Sequence, residues 1–247
     1  MVALRPYGEH DAIASLFTAT FGLRRGFVHG GQGRRQAATW QIGHLLALRW
    51  RSRRAEGLGT LSGELVRPVA SLLLAAPLRL ALLTAACALL AEALAEGEPH
   101  ERLFAALRPW LDALPAAPLP ALAAAYVRWE LLFLADLGFG LDLSRCALTG
   151  AGEGLAYVSP RSGRAVSAAA AEPWRARLLP LPPFLTAASG EEDRAVPLPD
   201  SLAGLRLTGH FLARFLFAAH HRPLPKARLE LYERLHAAAA AASSPED

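Results

Sequence analysis

The chain has 247 residues, 53% of them hydrophobic and 19% charged, and a net charge of +4. That length can bury a sizeable core in one large domain or two smaller ones, and that composition excludes a disordered chain. Two cysteines, Cys87 and Cys146, exclude a disulfide framework, and a four-ligand zinc site would need several histidines beside them.

Residues 2–7, 13–19, 23–29, 39–50 and 60–66 are short runs rich in apolar, β-branched or aromatic side chains. Gly8, Gly22, the cluster Gly30-Gly31-Gln32-Gly33 and the pair Gly57 and Gly59 punctuate them. Short strands with glycine turns predict a small β-barrel, and five of them in about 65 residues suit an OB-type barrel with an open groove for single-stranded nucleic acid. The chain opens abruptly on strand-forming residues, so the first strand is expected to be short, and its charges come too early for a secretory signal.

Charge singles out this first part. Residues 1–55 carry nine basic and two acidic groups (+7), which leaves −3 for the rest. No acidic residue occurs between Asp11 and Glu56. Ordinary surfaces intersperse both signs, and a one-signed field predicts a polyanionic partner. A single lysine, Lys226, stands among 26 basic residues, so the positions of the arginines carry more information than their number. Arg24, Arg25, Arg34, Arg35, Arg49, Arg51, Arg53 and Arg54 are the candidate phosphate contacts, with binding expected to be salt-dependent and blind to sequence. Arg34 and Arg35 follow a glycine-rich turn and are expected on a mobile loop. Phe27, Trp40 and Trp50 interleave with them as candidate stacking partners for bases. Trp40 and Trp50 suit the interior of a small barrel equally well.

Near Pro68 the texture changes, and apolar residues recur at helical spacing over about 70–96, 100–113, 119–138, 201–220 and 225–241, with a break at Pro77. The division expected is therefore 1–67 and 68–247. Within the apolar run from Ala70 to Ala95, Arg79 and Glu92 leave 12 uncharged residues between them. A membrane span needs roughly 20, so the run reads as a buried helix with Cys87 in the core. Residues 139–170 form an irregular island with a hairpin around LAYVS. The proline-rich stretch 180–200 with Glu191, Glu192 and Asp193 reads as an exposed loop, and the final ASSPED as a disordered tail.

Motifs for catalysis are weak. Gly30-Gly31-Gln32-Gly33 lacks the lysine followed by serine or threonine of a phosphate-binding loop. Glu9, His10 and Asp11 gather three titratable groups, but neighbours on a strand point to opposite faces, and a turn entering a strand is the better reading than a metal site. Cys146 lies in LDLSRCALTG, like half of a zinc ribbon with Thr149 where a second cysteine would stand. His220 and His221 fall at a helix end, where a cation meets the dipole.

Three segments in order resemble one family. ALRPYGEHDAIASLFTATFGLRRGFVHGG resembles the opening of the bacterial DNA repair RecO family, LADLGFGLDLSRCALTG with AYVSPRSGRAVS its cysteine-containing middle, and RPLPKARLELYERL its C-terminal helix. The resemblance implies an α+β protein: an N-terminal OB-fold barrel, then a helical domain with a small zinc-ribbon-like insertion. Many relatives carry four cysteines there; with Cys146 alone, no metal or other cofactor is expected. It further implies a non-enzymatic, cytoplasmic, nucleoid-associated recombination mediator. Such a protein binds single- and double-stranded DNA, anneals complementary strands, and with RecR loads RecA onto DNA coated with single-strand DNA-binding protein (SSB). The acidic-aromatic SSB tail calls for an apolar pocket beside a cation, with Arg79, Arg214 or Lys226 as candidates. A protein-docking adaptor with a nonspecific nucleic-acid-binding barrel is the alternative reading.

Overall fold

The computed structural model describes residues 1–52, 58–186 and 195–243. The protein is mixed α+β, with a sheet at its N-terminal end followed by a largely helical part. Strands β1 (Ala3–Tyr7), β2 (Asp11–Thr18), β3 (Gly22–Val28), β4 (Leu45–Arg51) and β5 (Gly59–Arg67) form one sheet in the order β1-β2-β3-β5-β4. The β3–β5 pairing is parallel and the others are antiparallel. Period-two alternation in β2 buries Ala12, Ala14 and Leu16 on one face. There they join Val28, Trp40 and Leu61, with Leu4, Leu46, Leu48 and Trp50 packed against them. The Met1 amino group donates to the His44 carbonyl at 2.7 Å, and the Gly43 N–H donates to the Met1 carbonyl at 2.8 Å. These bonds tie the residues before β1 to those before β4.

One expected strand is shorter than the sequence suggests. In place of a strand over 39–50, β4 runs only from Leu45 to Arg51; turns after helix α1 (Arg34–Ala37) take up the residues before it. The Trp40 indole N–H donates to Gln36 Oε1 at 2.8 Å, and the ring is buried. Trp40 is thus a core residue that a base cannot reach, which decides one of the two open tryptophans.

The helices follow the periodicity closely. After α2 (Val69–Leu72), Pro77 opens α3 (Pro77–Ala93), as a residue without an N–H is suited to do. Helix α3 buries Leu82, Leu83, Ala85, Ala86, Cys87, Leu89 and Leu90, which is why its sequence is apolar on nearly every side. Helix α4 spans Glu101–Ala113 and α5 Leu119–Asp136. Among the described residues no helix is long and apolar enough to cross a membrane.

In the island, β6 (Leu155–Val158) and β7 (Ala165–Ser167) form the expected hairpin. The short helix α6 (Ala168–Ala171) follows, and β8 (Leu179–Pro180) adds a third strand beside β6. Cys146 is buried there with Val166 and Ala171 and accepts the Ser167 N–H at 3.3 Å. Burial raises its pKa, but hydrogen bonds from Ser167 and Thr149 and from the Ser167 and Leu148 backbone outweigh it and bring the thiol down to about 6. Helix α7 (Leu198–Phe211) starts earlier than expected and passes into a π-helical stretch, Leu212–Phe217, before the last helix, α8 (Lys226–Ser243). The first two residues of the expected tail therefore belong to α8; the others, with Glu191, Glu192 and Asp193, lie outside the described residues.

By contact the chain forms two compact units, Met1–Ala116 with Pro225–Leu231, and Ala117–Leu224 with Tyr232–Asp247. The sheet thus shares its unit with α2, α3 and α4, although the change of texture in the sequence falls at the end of β5.

Candidate nucleic-acid interface

The register of the sheet places the arginines. Arg5 lies opposite Ile13, Ile13 opposite Phe27, Phe27 opposite Thr60, and Thr60 opposite Arg51. These five residues form one row across all five strands, with a guanidinium at each end and an aromatic ring at its centre. Residues two apart on a strand share a face, so Arg49 with Ser62, and Arg25 with Ser15, extend the row on the same side. Arg5, Arg25, Arg49, Arg51, Thr60 and Ser62 are exposed, as befits the face opposite the core. The Phe27 ring meets Tyr7 edge-on at 4.9 Å, which gives this face an aromatic pair between its cations.

Arg25 is not a free charge. Its Nε lies 2.7 Å from Glu96 Oε2, and its backbone N–H donates to Glu96 Oε1 at 2.9 Å. The acid missing from residues 12–55 is supplied by the segment after α3, which also pairs Glu96 with Leu23 and donates the Gly97 N–H to the Leu23 carbonyl at 2.9 Å.

Arg24 is on the other face of β3, opposite Leu16. Its guanidinium lies 5.4 Å from the Trp50 ring and 6.0 Å from the Phe21 ring. Trp50 is half-buried, packs against the core and donates its indole N–H to the Arg25 carbonyl at 3.3 Å. It packs closely against Gly59, where a Cβ would fall 2.5 Å from the indole nitrogen. Trp50 is thus part of the core packing while its ring stays partly accessible.

Arg34 and Arg35 are exposed, but on α1 rather than on an irregular loop. The loop before them is anchored: Asp11 Oδ1 accepts the Gly30 N–H at 2.8 Å, and the Gln32 amide donates to the carbonyls of Gly8 and Asp11 at 3.1 and 2.7 Å. The Gly30 bond, with His29 nearby, holds the Asp11 carboxyl below the usual carboxylate range. Asp11 is thus a structural anchor, with Glu9 and His10 in the turn before it. Among the described residues no group of three or more histidines, cysteines or carboxylates is placed to hold a metal. Arg53 and Arg54 lie outside the described residues.

The cations weighed for an acidic tail differ in their surroundings. Arg79 Nη1 donates to the Leu114 carbonyl at 2.6 Å, which caps α4. Arg214 is exposed on the π-helical stretch, and Lys226 Nζ lies 3.3 Å from Glu230. The sequence alone missed Arg5, Tyr7, Phe21 and Glu96. The strand pattern held the signal for Arg5 and Tyr7, since both alternate outward with known partners on β2. Nothing local connected Glu96 to Arg25.

The family model for the N-terminal part of recombination protein O matches residues 1–69, and that for its C-terminal part matches 74–223. The chain is 47% identical over 250 residues to the DNA repair protein RecO of Gluconacetobacter diazotrophicus, covering 100% of this chain and 97% of that one. It is 46% identical over 237 residues to the protein of that name from Granulibacter bethesdensis, with 96% and 93% covered. For the one from Acidiphilium cryptum the identity is 49% over 237 residues, with 95% and 92% covered. With both family models matched in order and nearly full-length relatives at this identity, the chain belongs to the RecO family.

Proposed function

We propose that this protein is a recombination mediator in DNA repair that binds single- and double-stranded DNA, anneals complementary strands, and with RecR helps load RecA onto SSB-coated DNA. The observation that carries the reading is the exposed row across the sheet, with Arg5 at one end, Arg51 at the other and Phe27 between them. Cations spaced along a sheet face suit a phosphate backbone, while the central ring offers a stacking surface that tolerates any base. The strand order, together with the bonds from Met1 to Gly43 and His44, supports closure of the sheet into an OB barrel. The island around Cys146 serves as a zinc-ribbon-like insertion that needs no metal, with hydrogen bonds taking the place of the ion at the thiol. The protein acts without catalysis, in the cytoplasm at the nucleoid.

The test is annealing of complementary oligonucleotides, bare and coated with SSB, in the presence of this protein. Acceleration of pairing in both cases is expected, with loss of it on Arg49→Ala/Arg51→Ala. Binding without acceleration would sink the mediator reading and leave a docking adaptor.

A further inference from the structure

The same unit holds a cavity of about 520 Å³ on the core side of the sheet, at the end where β2 turns into β3. Its walls are apolar side chains of β2, β4 and β5, among them Leu16, Leu48 and Leu61, with Phe21 and Trp50 beside the guanidinium of Arg24. The volume lies within the range of small-ligand pockets, which hold one flat group and a few orienting polar contacts. The turn that forms one wall is fixed from within. The Thr18 hydroxyl donates to the Gly22 carbonyl at 3.0 Å and accepts the Phe21 N–H at 3.1 Å. Phe21 is nevertheless 59% exposed, an aromatic ring held at the mouth of a pocket.

We propose that this cavity receives an unpaired nucleobase of single-stranded DNA, with the adjoining phosphate on Arg24. The inference rests on the DNA-binding reading above and adds a base site to it. Alternation along β4 supports it: Arg49 and Arg51 point away from the core while Trp50, between them, points into the cavity. The two arginines are about 6.8 Å apart by strand rise, a repeating cation that suits a repeating phosphate better than one carboxylate. Arg24, on the core side of the sheet, brings its guanidinium to 5.4 Å from the ring of Trp50, the residue between Arg49 and Arg51. A guanidinium stacked on aromatic rings keeps its N–H edges free for phosphate oxygens. The apolar walls contribute stacking and little base discrimination, so any base fits.

The test compares two probes on the full chain by fluorescence anisotropy: an oligothymidylate, and a strand of equal length whose residues are abasic. Wild type is expected to prefer the base-bearing strand by roughly tenfold. Phe21→Ala, at an exposed ring, is expected to remove most of that preference while leaving abasic-strand binding to within about twofold. Arg24→Gln, which removes a phosphate contact, is expected to weaken both strands and the base-bearing one more. Equal weakening of both strands, or no effect on either, overturns the base site but leaves DNA binding standing. Failure of wild type to bind either strand overturns the underlying reading as well. Phe21-dependent binding of an acidic peptide ending in phenylalanine, with DNA binding insensitive to Phe21, assigns the cavity to a protein tail and overturns the proposal.

Discussion

A Cβ placed on Gly22 would lie 1.7 Å from the Glu98 carbonyl oxygen, so the first residue of β3 touches the segment after α3 through bare backbone. Gly22 also has φ +60°, where a side chain is strained even in open space. Gly22→Ala is therefore expected to cost at least about 2 kcal/mol. Chemical denaturation checks this. Because Glu96 and Gly97 would move with Glu98, the same variant should loosen the Arg25–Glu96 pair. A stability within about 0.5 kcal/mol of wild type would show that the two segments separate freely.

His44 is buried, with Nδ1 3.2 Å from the Thr39 carbonyl and Nε2 3.2 Å from the Ser71 hydroxyl. A carbonyl only accepts, so Nδ1 carries the proton of a neutral ring. Burial lowers the pKa of this ring below 6.5, although the Thr39 bond opposes the shift. The unfolded chain then takes up a proton near its ordinary value before the folded one does. Stability from this site is complete above pH about 6.5 and declines as pH falls toward the folded-state value. The expected slope is at most about 1.4 kcal/mol per pH unit from this residue. Denaturation midpoints at neutral and mildly acidic pH should differ less in His44→Gln than in wild type. An unchanged difference would place the acid sensitivity elsewhere.

The sequence made the strands and helices legible because their periods are local, and Pro77, Gly22 and Gly8 marked boundaries within a residue or two. It misplaced the start of β4, because Trp40 looks like a strand residue until its indole finds Gln36 one helical turn back. The charge anomaly pointed to the sheet on which the candidate site is built. What it lacked was register: Arg24 and Arg25 are neighbours in sequence, yet one faces the cavity and the other a carboxylate 71 residues away. Arg5, outside the dense cluster, joins the site through two strand pairings that composition does not encode.

At the end of the helical stretch before Pro223, His221 has φ 53°. The Arg222 N–H donates to the Phe217 carbonyl and the His221 N–H to the Ala218 carbonyl, both at 3.0 Å. This is the Schellman arrangement, whose left-handed position favours glycine. The histidine here is thus a backbone terminator rather than a dipole partner alone. His221→Gly is expected to stabilise by about 0.5–1 kcal/mol, despite the greater freedom of glycine in the unfolded chain. His221→Val should destabilise, since a β-branched residue tolerates this region least. Thermal midpoints of the two variants should move in opposite directions; a shared direction would contradict the cap.

The Arg25–Glu96 pair is solvent-exposed, so it contributes about 1 kcal/mol or less to stability. Its larger effect is expected on binding, because Glu96 occupies a guanidinium that faces the proposed DNA surface. In Glu96→Gln the amide oxygen can still accept the Arg25 backbone N–H, but the amide N–H₂ then confronts the guanidinium donor to donor, and Arg25 is released. Single-stranded DNA should bind more tightly at low salt. The slope of log affinity against log salt should steepen by up to about 0.7, the increment for one more phosphate contact on a single strand. Arg25→Gln should leave affinity near wild type, since the paired guanidinium contributes little to it. In the double variant Arg25→Gln/Glu96→Gln the gain should disappear, because it depends on Arg25. If Glu96→Gln tightens binding equally with and without Arg25, the effect is a general rise in positive charge. If it leaves the salt slope unchanged, Arg25 does not face the DNA.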